Sequence, residues 1–300
     1  MESLRDIRQN IKAIKSTQQI MQTMKMISSA RIRKAQDAMD AARPFAKKML
    51  QMVDDLKQDI LAMPEPEDGE SWAGRFFVNR TGDAGKIGLL VITGDKGLAG
   101  SFNAVILRSV LQFLKEHKDK EIFVFAVGKK GRDFLMRLKM PNLHIAYESV
   151  GIFPKVSYAH AELLGEAVLK TYFEQKLGEV VLIYNDFKSL ASQNLVEQRM
   201  LPFDFEQHHN DKDESDFLFE PGMLEIFKFL VPRLVKANMY RFLLESQAAN
   251  LAATMNAMDA ASKNAGELVT ALGVKLNKVR QASITNEILD IVNGAEALNS

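Results

Sequence analysis

The chain has 300 residues, a formal net charge of +1 and no cysteine. Near-neutral charge argues against a dedicated nucleic-acid binder, which carries a large basic excess, and the missing thiols exclude disulfides, cysteine–metal sites and thiol catalysis. No apolar stretch approaches the ~18 residues that span a bilayer, so no membrane-spanning helix is expected.

Residues 1–62 read as one long amphipathic helix. Leu4, Ile11, Gln18, Lys25, Ile32, Met39, Ala46 and Val53 form one series at sevenfold spacing, and Ile7, Ile14, Met21, Ser28, Ala35, Ala42, Met49 and Leu56 form its companion. Apolar residues fill 13 of these 16 positions, a heptad seam sustained over eight repeats. The basic, amphipathic start resembles a mitochondrial presequence. It shares the phase that runs on to Leu56, so it is expected to belong to the folded chain. Pro44 should kink this helix without ending it, because the apolar phase continues past it. Between Ile7 and Gln36 stand seven bases (Arg8, Lys12, Lys15, Lys25, Arg31, Arg33 and Lys34) and no acid. A helix that stabilises itself alone intersperses signs at i,i+4 spacing, so a basic stripe facing an acidic partner is expected beside the plainer reading of a solvated face.

Residues 63–74, opening Met63-Pro-Glu-Pro-Glu, form a linker. In residues 75–203 strands alternate with helices. Strands are expected at Lys86–Thr93, Ile122–Val127, Leu143–Glu148, Glu179–Asn185 and Gln193–Leu201, with a further edge strand at Arg75–Arg80. Helices are expected at Asn103–His117, Lys129–Leu138 and Tyr158–Gln175. This spacing implies a mostly parallel sheet covered on both faces, with one antiparallel pair at the end. Residues 204–220 carry seven acids against one lysine and read as an exposed acidic loop.

Residues 221–300 form the second long helix, opening at Pro221. Pro232 should bend it or mark its true start. One series runs Leu230, Ala237, Leu244, Leu251, Met258, Ala265, Leu272 and Val279; the other runs Leu234, Arg241, Ala248, Met255, Ser262, Val269, Leu276 and Ser283. Again 13 of 16 positions are apolar. Two such helices leaving one central domain pair most economically with each other, antiparallel. The second is longer and should project alone for roughly 25 Å at about 1.5 Å per residue. Beyond Ser283 the phase slips to a new apolar stripe of Ile284, Ile288, Ile291, Ala295 and Leu298.

Two glycine turns could carry chemistry. Thr93-Gly-Asp-Lys-Gly-Leu-Ala-Gly-Ser-Phe-Asn103 runs from a strand into a helix, where phosphates bind in α/β folds. Its Gly-x-x-Gly-x-x-Gly spacing matches neither the dinucleotide fingerprint nor the P-loop, so it reads first as a structural turn. Gly128-Lys-Lys-Gly-Arg132 reads as a polar surface turn, although its bases could hold an anion. The five histidines form no metal-ligand pattern, and no cofactor is expected. The alternatives left open are a shaft-like structural role, a nucleotide-dependent α/β enzyme with a coiled-coil oligomerisation arm, and a free-standing scaffold.

Several segments resemble the γ subunit of the F-type ATP synthase. They include Asp6-Ile-Arg8, Ile11, Thr17-Gln18, Met24-Lys-Met26 and Arg33-Lys-Ala-Gln36. The glycine turn Asp95–Gly100 with Asn103, the run Gly128–Asp133, and Met255–Ala261 with Asn264-Ala265 add to them. The strongest is Asn277-Lys-Val-Arg-Gln-Ala-Ser-Ile-Thr285, followed by Glu287-Ile288 and Gly294-Ala295. The resemblance covers essentially the whole chain. It implies α/β plus long helices: an antiparallel two-helix coiled coil from both termini with a central Rossmann-like, mostly parallel sheet domain.

It also implies a rotary central stalk that transmits c-ring rotation to a catalytic head of α and β subunits. The foot of the stalk meets the ε subunit and the c-subunit ring, and no bond chemistry occurs on this chain. By the same resemblance, Met24 and Lys25, with Arg8, Lys12, Arg31 and Arg33, would face the acidic lever loop of β. Arg280, Gln281 and Thr285 would meet its catch-loop region. Ile284, Ile288, Ile291 and Leu298 would form a bearing tip, and Asp95, Lys96, Gly97, Gly100 and Asn103 would form the foot turn. Thr254 stands where many members carry an arginine, so the β contact of that guanidinium is not expected here. No thiol-regulated insert is present. The expected location is the cytoplasmic face of a bacterial inner membrane, peripheral and held through the complex.

Overall fold

The computed structural model describes residues 3–62, 74–77, 85–153, 155–190, 192–203 and 222–299. The expected linker, apart from Gly74, and the acidic loop lie outside the described residues. Helix α1 spans Leu4–Ala62. Then follow β1 (Lys86–Ile92), α2 (Phe102–Glu116), β2 (Glu121–Val127), α3 (Lys129–Leu138) and β3 (Leu143–Ser149). The order continues with α4 (Tyr158–Glu174), β4 (Glu179–Phe187), β5 (Gln193–Leu201) and α5 (Met223–Asn299). The chain divides into two compact units: residues 1–29 with 254–300, and residues 30–253.

In the larger unit the sheet order is β3-β2-β1-β4-β5. β1 pairs parallel with β2 and β4, β2 parallel with β3, and β4 antiparallel with β5, as the sequence pattern implied. Alternate residues separate the faces. Leu90, Ile92, Phe125, Val127, Leu182 and Tyr184 join one core with Ala161, Leu164 and Val168 of α4. The same core takes Val53, Leu56 and Ile60 from α1 and Phe227, Leu234, Val235, Met239 and Leu243 from α5. α2 and α3 cover the opposite face: Asn185 donates to the Phe102 carbonyl at the start of α2, and Ser109 of α2 donates to Glu197 of β5.

The proposed edge strand Arg75–Arg80 does not form where it is described; Gly74–Phe76 is a 3₁₀ turn instead. The reason is Phe76, which is fully buried among Tyr172, Phe173, Phe203 and Phe227. A tight turn delivers one ring inward where a strand would place alternate residues on two faces. Arg75, also buried, donates to the carbonyls of Tyr172 and Leu177, and Tyr172 donates back to the Arg75 carbonyl at 2.7 Å.

Helix α1 opens on a reciprocal cap: Asp6 N–H donates to Ser3 Oγ, and Ser3 N–H donates to the Asp6 carboxylate. It continues through Pro44, as the sustained apolar phase required. α5 likewise continues through Pro232, so that proline does not mark the helix start. Every α1 seam position with a described side chain is buried or half-buried, and so are all the α5 seam positions. Among the described residues no helix is long and apolar enough to cross a membrane.

Candidate functional site

In the smaller unit α1 and α5 run antiparallel. Gln18 Nε2 donates to the Ser262 carbonyl at 3.1 Å, and Lys25 Nζ lies 2.6 Å from Asp259 Oδ1. These contacts explain the polar residues that interrupt the apolar series. Gln18 and Lys25 each meet a partner across the seam, and a polar seam contact selects one register among several that apolar packing tolerates. Asp259 also meets Lys263. The Lys25 ammonium, and after it Lys263, hold the Asp259 carboxyl below the usual carboxylate range.

Within the expected basic stripe, Lys25 meets Asp259 and keeps 45% of its side chain exposed; Arg8 and Lys12 are exposed and Met24 is half-buried. Arg31 and Arg33, in the larger unit, are exposed. Large apolar residues also reach solvent on α1, with Ile20 58% and Met26 66% exposed. Sequence reasoning placed Met26 off the seam but did not single out Ile20.

On α5 the seam ends at Ser283. Arg280, Gln281 and Thr285 are exposed, and every residue from Ile284 to Gly294 is exposed. Ile284, Ile288 and Ile291 lie open as the slipped phase implied. Leu289 and Val292 are open too, which widens the apolar band beyond the expected stripe. Leu298's side chain lies outside the described set.

The glycine turn sits at the carboxyl ends of the parallel strands, where ligands bind in doubly wound sheets. Here the chain's own groups fill the place. Asn103 Oδ1 accepts from Gly94 N–H at 2.8 Å, and a methyl group on Gly94 would sit 2.5 Å from Asn250 Nδ2 of α5. Asp95 turns its carboxylate inward: Oδ1 accepts from the N–H groups of Lys129 and Gly151 at 3.0 and 2.8 Å, and Oδ2 from Phe153 N–H at 3.1 Å. One acid thus joins the loops after β1, β2 and β3. It also occupies the position beside the start of α3 that an external anion would use. Lys96, Gly97 and Gly100 are exposed.

The second glycine turn is packed rather than a plain surface turn. Gly128, at φ +89°, would bring a Cβ within 2.1 Å of the Thr93 carbonyl oxygen. Thr93 is fully buried, and its Oγ1 accepts from Gly131 N–H at 2.8 Å. Lys129 and Lys130 point to solvent. The three described histidines serve local structure: His117 stacks on Phe113, His144 lies against Phe123, and His160 closes a cap with Ser157; His208 and His209 lie outside the described residues. Among the described residues no cluster of acids and histidines could hold a metal ion.

Comparison with known proteins agrees over the full length. The ATP synthase family matches residues 3–298. The "ATP synthase gamma chain" of Elusimicrobium minutum is 57% identical, covering 100% of both chains, and that of Solibacter usitatus is 37% identical over 99% of each. Among solved structures, the central stalk and c-ring of the Tetrahymena thermophila mitochondrial ATP synthase contains a similar chain. Its TM-score is 0.59 at 24% identity, covering 81% of this chain and 99% of that one. A chain of the Euglena gracilis mitochondrial ATP synthase gives a TM-score of 0.66 at 18% identity, covering 98% and 94%. These two likenesses establish a shared fold.

Proposed function

The chain belongs to the ATP synthase γ-chain family, and from that premise we propose how its surfaces serve a rotary central stalk. As a γ chain it is a non-catalytic subunit of a membrane-associated complex; the chemistry takes place on other subunits. Its paired helices enter a head of α and β subunits, and its α/β domain meets the ε subunit and the c-subunit ring. Rotation of the ring turns the domain, the domain turns α5, and the uneven helix surface drives the β sites through their conformations.

Within this role, Arg8, Lys12, Arg31 and Arg33 offer cations to an acidic loop of β, with Met24 beside them. Lys25 contributes mainly by holding the register of the helix pair. Arg280, Gln281 and Thr285 meet β where α5 leaves the seam. The apolar band from Ile284 to Val292, with Leu298, turns in an apolar collar. The complex lies on the cytoplasmic face of a bacterial inner membrane, and this chain is peripheral to it.

The observation that supports the assignment best is the seam. Its positions are covered along both helices, and it stops at Ser283, where α5 continues with every side chain exposed through Gly294. An uncovered apolar end of this kind marks a surface that a partner covers, and an apolar collar in which the tip turns supplies that partner. Purification of the complex from native membranes tests the role: the chain should travel with ATP-hydrolysing α and β chains and a c ring. Its recovery free of them, or micromolar binding of ATP or NAD by the isolated chain at the Gly94–Gly100 turn, would favour the enzyme reading instead.

A further inference from the structure

Resting on the rotary role above, we propose that Tyr184 and Glu245 form a key that prevents α5 from turning against the sheet, and that they are positioning residues for torque transfer. Rotation delivered to the α/β domain reaches the long helix only if that helix cannot slip where it lies on the sheet. The apolar part of the contact includes Leu234, Val235, Met239 and Leu243, which share one core with Leu182 and Tyr184 of β4. Apolar burial of this kind is strong but non-directional. It opposes separation far more than it opposes rotation or a shift of one turn.

One contact differs in kind. Tyr184 Oη donates to Glu245 Oε2 at 2.7 Å. Both residues are buried, at 4% and 6% exposure. Arg241 Nε lies 3.9 Å from the other carboxylate oxygen, and the Phe242 ring packs 5.4 Å from the Tyr184 ring. Burial, and then the Glu245 charge, push the Tyr184 phenol up, so it keeps its proton and donates. A hydrogen bond to an ionised acceptor is shorter and stronger than a neutral one and is directional. Burying a carboxylate is a costly way to gain stability, since an apolar side chain of similar volume serves as well or better. Its presence at the contact between helix and sheet is explained by a demand for fixed geometry.

The location fits that demand. Tyr184 lies on β4, which is held on both sides by β1 and β5, so load passes into the body of the sheet rather than an edge. A second tie lies earlier on α5. Lys236 Nζ meets Glu166 at 2.7 Å and Glu162 at 3.3 Å, both on α4, and α4 approaches so closely that a methyl group on Gly165 would sit 2.9 Å from Lys236 Cγ. From Lys236 to Glu245 is roughly two and a half helical turns, so the two ties grip α5 from nearly opposite sides. Two directional contacts on opposite sides of an axis resist rotation about it in either sense.

The test uses the intact complex in sealed membrane vesicles carrying Tyr184→Phe or Glu245→Gln, with ATP hydrolysis and ATP-driven proton pumping measured together. Tyr184→Phe keeps the ring and removes the donor; Glu245→Gln keeps an acceptor and removes the charge. We expect hydrolysis near the wild-type rate at zero load, with protons pumped per ATP falling severalfold as an opposing gradient is imposed. Tyr184→Phe should be the more severe. A purely structural role would lower assembled complex, hydrolysis and pumping in proportion, and would leave the pumping ratio constant at every load. Either an unchanged ratio in both variants or a strictly proportional loss would overturn the key. Failure of the wild-type chain to travel with a proton-pumping ATPase would instead overturn the rotary role itself.

Discussion

Replacing Asp95 with alanine tests whether the glycine turn is a structural knot rather than a vacant ligand site. The carboxylate accepts three backbone N–H groups, from Lys129, Gly151 and Phe153. The first two bonds lie at the exposed rim and the third is partly buried. Rim bonds that water replaces contribute about 0.5 kcal/mol each, and a partly shielded bond to a charged acceptor about 1.5 kcal/mol. The loss should therefore be about 2–3 kcal/mol, equivalent to a fall in Tm of roughly 4–10 °C. Asp95→Asn keeps one acceptor oxygen but presents an amide to N–H groups, so it should recover less than half of the loss. Urea unfolding gives the global change. Hydrogen exchange then localises it, with the Lys129, Gly151 and Phe153 amides exchanging faster while Thr93 and Val127 stay protected. A change below about 0.5 kcal/mol, or unaltered exchange at those three amides, would refute the proposed knot.

Four further outcomes are expected. Gly128→Ala should cost about 3 kcal/mol or more, because its positive φ and the Thr93 carbonyl 2.1 Å from the added Cβ both oppose a side chain. Gly97→Ala, with open space around it, should stay within about 0.5 kcal/mol in the same denaturation assay. The Lys25–Asp259 pair should stabilise the helix pairing fully above about pH 4, the ordinary aspartate range. That contribution should disappear as pH falls through the lower folded-state value. Helix melting followed by circular dichroism during acid titration measures it, and Asp259→Asn should remove this acid-dependent component; an unaltered titration would count against the pair. Deleting Ile284–Ser300 should impair assembly and torque, yet leave the unfolding transition of the α/β domain in place, because the described residues of that segment are exposed. Loss of that transition would show that the tail supports the domain.

Much of the architecture is periodic and therefore legible in one dimension. The sevenfold apolar series predicted covered positions on both long helices, and each described one is covered. The alternation of strand and helix patterns predicted a parallel sheet ending in an antiparallel pair, as found. The exposed tip was readable as well, because the apolar phase slips at Ser283. The roles of single polar residues were less legible. The contact of Lys25 with Asp259 was not legible because the two lie 234 positions apart. Tyr184 and Glu245 carried no motif at all, being 61 positions apart on elements of different period. Arg75–Arg80 read as a strand from composition; the aromatic pocket that draws Phe76 inward assembles from three distant segments, at Tyr172–Phe173, Phe203 and Phe227.

By itself, then, the amino-acid order determined which faces are apolar, where the long helices and the five paired strands lie, and the family to which the chain belongs, because the apolar pattern repeats at the local periods of helix and strand and the family's motifs are contiguous in the chain. Only the tertiary structure decided which polar groups meet: that Lys25 closes the seam with Asp259, that Asp95 fills its own anion position, and that Glu245 is buried against Tyr184. Apolar burial depends on surface removed from water and tolerates many partners, whereas a hydrogen bond requires two particular atoms about 3 Å apart. The first condition can be read along a chain, and the second exists only after the chain has folded.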